Sequence, residues 1–515
     1  MPRLHFLGEF IAEPSTINNR PDNMAGPIVD PGWNPNGTHK LAFSNCRVTA
    51  LASDGQLTTT GDSLIGAPVT TPGAPFAKIV DLDVEVQMAS KVYGLVVAIA
   101  DSGGNSVRGA MASASFRDFS AARILGIYQS MLNALEWHVA PLSWLAKLRA
   151  ASPDVLSIRF ITDLFTGLSG GAHRGRLAGA IGPATAQEPA HYVAGRRIVG
   201  VQGPSASAEA TGDRLTVDVG NIVSLQANQS VHSSLTIAVK GSPAQHDLAL
   251  KTGAVVFAAS MLPAGWRQLG TMATTVERYG LTSGVESIQL SQRDATTVAS
   301  SPLGVFTSNG SPLALEAADG LFVFPDRAAF AMNPGEQTSV LLTASRFGRP
   351  AAGLVIPIVQ TKSAGAAGIA FPQTVTTDGD GRAAAVFAAS DPGWPRDPLD
   401  GQVFGFGGAW ADAGDVLIRD AQSAVAILVF SQFTPPAQPK WDDVRAIFEA
   451  YAKLYPGMTE ILDLSDFDVV VANKDVIRTR LRLPADAAGF MPVSRDLSAR
   501  KREMIVAWID AACPR

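Results

Sequence analysis

Apolar and polar positions alternate over short stretches for most of the chain, and turn residues punctuate them. Leu4-His5-Phe6-Leu7-Gly8 and Arg47-Val48-Thr49-Ala50-Leu51 predict strands, with Asp54-Gly55 where a two-residue hairpin turn would sit. Val92 to Ala100 is an apolar run closed by Asp101-Ser102-Gly103-Gly104, which predicts a buried strand and a turn, and Asn34-Pro35-Asn36-Gly37 predicts a loop. The period then changes. Phe119, Ala122, Leu125, Tyr128, Leu132 and Leu135 fall on one face of a helix. Pro141 breaks this pattern before a second short helix through Trp144, Leu145 and Leu148, so a helical insertion over 119–149 is expected within a β-rich domain.

Strand patterning resumes at Leu156–Ile161, Leu215–Val219 and Ser234–Val239, and Gly241-Ser242-Pro243 suggests that the first domain spans 1–240. Residues 241–330 read as a β-rich connection. Over 331–435, strands at about ten-residue spacing surround Thr377-Asp378-Gly379-Asp380-Gly381-Arg382-Ala383, the pattern of an immunoglobulin-like β-sandwich. After Pro435-Pro436-Ala437-Gln438-Pro439 the pattern turns helical, giving a C-terminal segment over 440–515. Val444, Ile447, Phe448, Tyr451 and Leu454 make one amphipathic stripe, and a last helix runs from a Ser498 N-cap through Met504, Ile505, Trp508 and Ile509. The expected fold is mainly β, a multi-domain sandwich or barrel-like architecture carrying these helical additions.

Composition narrows the functional classes. Charged residues make up only 17% of the 515 positions and the net charge is −5, which excludes a disordered chain and argues against a protein that tracks nucleic-acid phosphates. No stretch is long and apolar enough to span a bilayer, and no leader h-region is evident, so a soluble cytoplasmic protein without a membrane partner is expected. Cys46 and Cys513 are the only cysteines, which excludes a disulfide framework and any cysteine-rich metal site.

The motifs with catalytic potential lose it in context. Gly167-Leu168-Ser169-Gly170-Gly171 has the form of a hydrolase nucleophile turn, but a strand follows it where a helix is required. Asp378-Gly379-Asp380-Gly381 places Arg382 where a calcium loop needs an oxygen ligand, and reads as a hairpin turn. None of the seven histidines is spaced to share a helix face with another, so no intrinsic metal or other cofactor is expected. Glu136-Trp137-His138 is a mixed aromatic and polar cluster of the kind that walls a pocket. Together with His5 and His191, Trp137 and His138 form the candidate ligand-contacting set.

Several segments resemble one family. They are "LHFLGEFIAEPSTINN" (Leu4–Asn19), "GWNPNGTHKLAFSNCRVTA" (Gly32–Ala50), "IVDLDVEVQMASKVYGL" (Ile79–Leu95), "LSIRF" (Leu156–Phe160), "GRLAGAIGPA" (Gly175–Ala184), "EPAHYVAGR" (Glu188–Arg196), "DVGN" (Asp218–Asn221), "YAKLYPGM" (Tyr451–Met458) and "MPVSRDLSARKREMIVAWI" (Met491–Ile509). Together they resemble the N-terminal region of the iminophenyl-pyruvate dimer synthases of violacein biosynthesis and the related chromopyrrolate synthases. That family couples tryptophan-derived imines oxidatively, in association with iron or haem, and a ferritin-like domain follows the region seen here. A ferritin-like site needs Glu-x-x-His on each of two paired helices, and the present chain has that spacing once, at Glu188–His191.

The resemblance therefore implies an accessory or scaffold subunit that works with a separately encoded ferritin-like or redox protein, through which iron or haem would be supplied. The alternative it leaves is a self-sufficient enzyme, or a protein that binds a small aromatic molecule or haem in the 1–240 domain. Because the C-terminal segment leads into the ferritin-like domain in that family, Phe448, Tyr451, Tyr455, Met491 and Trp508 are the candidate partner-binding residues.

Overall fold

The computed structural model describes residues 2–13, 38–53, 56–81, 90–120, 125–164, 173–188, 195–201, 205–222, 225–226, 229–230, 234–240, 262–263, 265–273, 275–396, 400–407, 412–413, 416–417, 425–454, 459 and 461–515. The fold is mainly β, built from several antiparallel sheets with a few short helices.

The first sheet closes on itself. Arg3–Ala12 lies between His173–Pro183 and Lys40–Ser53, and the ladder continues through Ala77–Asp81, Ser90–Tyr93 and Ala114–Ser120 to Leu125–His138. That last strand also pairs with Leu156–Leu164, which pairs with His173–Pro183, so eight strands form a ring without a free edge. A barrel of eight strands has an interior just wide enough to be filled by side chains. Here Phe6, Phe43, Tyr128 and Phe160 fill it, with Tyr128 stacked on Phe160 at 4.8 Å and Phe43 set edge-on to Phe160 at 5.1 Å.

Leu125–His138 corrects the expected helix over 119–135. Its residues 126–132 are buried without a break, because one face looks into the barrel and the other is covered. A strand buried on both faces loses its two-residue alternation, and a run of apolar residues then satisfies a helical template equally well. A bulge at Ala134, whose φ is +50°, shifts the register against Ser106–Met111 and disturbs the alternation further. The second expected helix is present as Trp144–Ala151. Ser143 caps it by accepting from the Ala146 amide, and Trp144, Leu145 and Leu148 pack into the barrel core.

Glycine has a specific role where Phe6 crosses the barrel. A Cβ on Gly179 would overlap the Phe6 ring and lie 2.8 Å from the Arg159 carbonyl oxygen. Both neighbours are fixed by the ladder, so Gly179→Ala is expected to destabilise the protein by about 1–3 kcal/mol. Thermal melting of the variant checks this, and an unchanged midpoint would show that the barrel wall yields there.

The second sheet has eight strands, including Arg196–Gly200, Ala206–Thr211, Arg214–Asp218, Ser234–Lys240, Trp266–Ala273 and Val285–Gln289. Its hydrogen bonds run across residue 240: Ser234–Lys240 pairs with Trp266–Ala273 and with Leu303–Thr307. The barrel is joined to this sheet by the buried pair Arg159–Asp218. Arg159 Nε donates to Asp218 Oδ2 at 2.7 Å, and Nη1 donates to the Ser283 carbonyl at 2.9 Å.

The third body is a two-sheet sandwich. Leu321–Pro325, Gln337–Arg346 and Arg382–Ala389 lie in one sheet, and Ala329–Met332, Gln402–Gly407 and Val425–Val429 in the other, around a core that includes Phe387 and Phe406. The Asp378–Gly381 segment is a turn. The Asp378 side chain accepts from the Asp380 and Arg382 amides, and Gly381 has a φ of +72°.

Four C-terminal helices, Trp441–Leu454, Phe467–Ala472, Lys474–Leu481 and Ala499–Asp510, share a separate core around Trp508, Trp441 and Phe448. This layer is fastened to the barrel at the 484–497 connection. The Arg495 guanidinium lies 3.9 Å from the Tyr93 ring centre, and Val493 and Met491 pack against Val80 and Tyr93.

Candidate functional site

Two chambers, each of about 470 Å³, lie where the barrel meets its neighbours. The first is polar and lies between the barrel strand carrying Arg3 and His5 and the second sheet. Glu209, Arg214, Arg278 and Glu286 also line it. Part of this charge is paired: Arg278 holds Glu286 with two bonds of 2.7 and 2.6 Å.

His5 is 1% exposed, and its Nε2 accepts from Arg3 Nε at 3.2 Å. Burial holds its pKa well below the ordinary histidine value, and the Arg3, Arg159 and Arg278 guanidiniums add to the effect. His5 is therefore neutral, with Nδ1 carrying the proton and the Nε2 lone pair engaged by Arg3. It sits at the junction between the barrel and the second sheet, facing the polar chamber.

The other members of the expected ligand set are not brought to this place. Trp137 sits near the end of Leu125–His138 and donates through Nε1 to the Pro153 carbonyl at 2.9 Å, while His138 is exposed beside it. His191 lies outside the described residues, as does the Gly167–Gly171 motif. Among the described residues, no group of three or more His, Cys, Asp and Glu is placed to hold a metal ion. Cys46 and Cys513 are both buried and free, and burial pushes the Cys46 thiol up to about 12.

The second chamber lies between the barrel and the C-terminal helices. The barrel contributes Thr38 and His39, just ahead of strand Lys40–Ser53, and Lys78 on Ala77–Asp81. The helical layer contributes mainly branched aliphatic side chains, among them Ile447, Leu462, Ile477 and Leu481, together with Phe448, Tyr451 and Met491. Three of the five expected partner-binding residues thus wall one space. Trp508 is fully buried in the core of the helical layer, and Tyr455 lies outside the described residues. Phe448 also turns inward and is only 5% exposed, because it fills the same core as Trp508.

The polar groups around this chamber have defined states. Tyr451 Oη donates to Asp496 Oδ1 at 2.7 Å, and Ser494 Oγ donates to the same oxygen. Burial raises the Asp496 carboxyl above its usual range, and these two hydroxyls partly offset that rise. His39 is 3% exposed and donates through Nδ1 to the Ile79 carbonyl at 3.3 Å, and burial, with Lys78 nearby, lowers it to about 3. Lys78 Nζ donates to the Thr38 carbonyl at 2.7 Å, and its pKa is lowered by burial. At the mouth, Ile461 and Val476 are 80% and 57% exposed.

Sequence reasoning missed His39, Lys78 and Arg480. Lys78 and Arg480 meet only because the chain folds back on itself, and no local pattern marks either of them. No family model and no curated protein matches this chain.

Proposed function

We propose that the protein is an accessory subunit of an oxidative, natural-product-type enzyme system, presenting its C-terminal helical layer to a separately encoded ferritin-like or redox protein in the cytoplasm. One observation supports this reading above the others. The helical layer has a complete core of its own and is fastened to the barrel by Arg495, yet Ile461 and Val476 stand bare at the mouth of an apolar chamber. Isolated exposed apolar residues are ordinary, but two of them rimming an apolar cavity mark a surface suited to being covered. The resembled family supplies the identity of the cover, since in it this segment leads into the ferritin-like domain. Any iron or haem chemistry then belongs to the partner. The role of this chain is to hold that partner against the barrel and to shield the chamber from water.

The test is affinity purification of the tagged full-length chain from its source cells, with mass spectrometry and iron analysis of the eluate. A ferritin-like or iron-containing redox protein is expected with the natural chain. The Ile461→Glu/Val476→Glu double variant, both sites being exposed, should fold normally and lose that protein by at least about tenfold. If no redox protein is enriched by the natural chain, or if the double variant retains it, the reading is wrong.

A further inference from the structure

The distribution of charge in the apolar chamber carries a second conclusion, independent of any docked protein. Its described lining includes two cationic side chains, Lys78 and Arg480, and no carboxylate. The two come from different bodies, Lys78 from the barrel and Arg480 from helix Lys474–Leu481, and both line this chamber. The Arg480 guanidinium makes no hydrogen bond or ion pair among the described residues. The acid whose charge reaches Lys78 most strongly, Glu13, lies outside the lining, where it accepts from Thr38, and Asp496 is held by Tyr451 and Ser494. His39 stays neutral beside them and adds no charge at physiological pH. An apolar cavity of about 470 Å³ falls within the size range of small-molecule sites, and a cation pair in its wall selects an anionic head group.

The lining also decides the body of the ligand. Most of it is branched aliphatic. Its one apolar ring, Phe448, is engaged in the helical core, stacked on Trp441 at 5.9 Å and edge-on to Trp508 at 6.2 Å, so the surface left for a guest is mainly aliphatic. Tyr451 is fixed through its hydroxyl to Asp496. We propose that the chamber between the barrel and the C-terminal helices binds a medium-chain aliphatic monocarboxylate, its head group between Lys78 and Arg480 and its chain along Ile447, Leu462, Ile477 and Leu481.

Isothermal titration of the full-length protein, with no partner present, tests this. Hexanoate, octanoate and decanoate are the probes, 1-decanol and decylamine the head-group controls, and 3-phenylpropanoate the ring control. Affinity is expected to rise about three- to fourfold per added methylene from hexanoate to decanoate. Decanol should bind about tenfold more weakly than decanoate, and decylamine more weakly still. Arg480→Gln and Lys78→Gln should each weaken decanoate about tenfold and leave decanol unchanged, with thermal melting used to confirm folding. The head-group series on the natural protein needs no variant, so it decides the matter even if one substitution disturbs the fold. The proposal is overturned if decanoate does not bind below its micellar concentration, if decylamine binds as well as decanoate, if both variants bind decanoate unchanged, or if 3-phenylpropanoate binds more tightly than octanoate.

Discussion

Glu316→Leu is expected to lower the stability of the protein by about 3–5 kcal/mol, seen as an earlier midpoint in urea unfolding. Glu316 and Arg196 are among the least exposed charged residues, their side chains being 2% and 1% exposed. Arg196 Nε donates to Glu316 Oε1 at 2.9 Å, and its two terminal nitrogens donate to the Val298 and Ser301 carbonyls. Glu316 Oε2 accepts from the Leu303 amide at 2.8 Å. Burial raises the Glu316 carboxyl, and Arg196 pulls it back toward the ionised state. Removing the carboxylate leaves a guanidinium charge in a dry interior with only carbonyl partners, and that uncompensated charge carries the cost. Arg196 also lies 5.3 Å from the Phe347 ring centre, so the loss reaches the contact between the second sheet and the sandwich. The double replacement Arg196→Met/Glu316→Leu removes both charges and should recover most of the loss. A double variant no more stable than Glu316→Leu would show that the pair acts through its separate hydrogen bonds, not as compensated charges.

What was legible in the sequence follows from how local each signal is. The Ser143-capped helix, the Asp-Gly turn at 378–381 and the Val444–Leu454 stripe each depend on residues within one or two turns of chain, and all three are present. The strand Leu125–His138 was misread for the opposite reason: the partners that hold it, Leu156–Leu164 and Ser106–Met111, lie elsewhere in the chain, and burial on both faces erased its own periodicity. The same logic governs the chambers. Phe448 and Tyr451 are legible because they lie on the amphipathic stripe of helix Trp441–Leu454, although Phe448 serves a core and the chamber together, whereas Met491 lies in the connection between helices, where no local period marks it. The cation pair Lys78–Arg480 is a property of the junction between two bodies, and neither residue differs in sequence from an ordinary surface cation. His5 stands out in the sequence only as a histidine within a strand, and its burial near three guanidiniums, which keeps it neutral, depends on residues far along the chain.

Between about pH 6.5 and 4.5, His39 should withdraw about 2–3 kcal/mol of stability as the pH falls, read as the difference between the natural protein and His39→Asn. In the folded chain burial holds His39 neutral down to about 3, whereas in the unfolded chain it takes up a proton near the ordinary value of 6.5. Below that value the unfolded state binds a proton that the folded state refuses, so the neutral form stabilises the fold above about pH 6.5 and its contribution is lost as the pH drops toward 3. The slope is about 1.4 kcal/mol per pH unit for one such group. Asp163, pushed up to about 7 by burial, works in the opposite sense, since its protonated form stabilises the fold at low pH. A comparison of the natural protein with His39→Asn separates the two, because Asp163 is common to both. Asparagine suits the position: it tolerates the φ of +57° found at His39 and can donate to the Ile79 carbonyl. The natural protein and His39→Asn should therefore unfold at urea midpoints whose difference shifts steadily in favour of the variant as the pH is lowered. Parallel pH profiles for the two proteins would mean that His39 is protonated in the folded state, and that Lys78, Arg495 and the surrounding apolar wall do not exclude its charge.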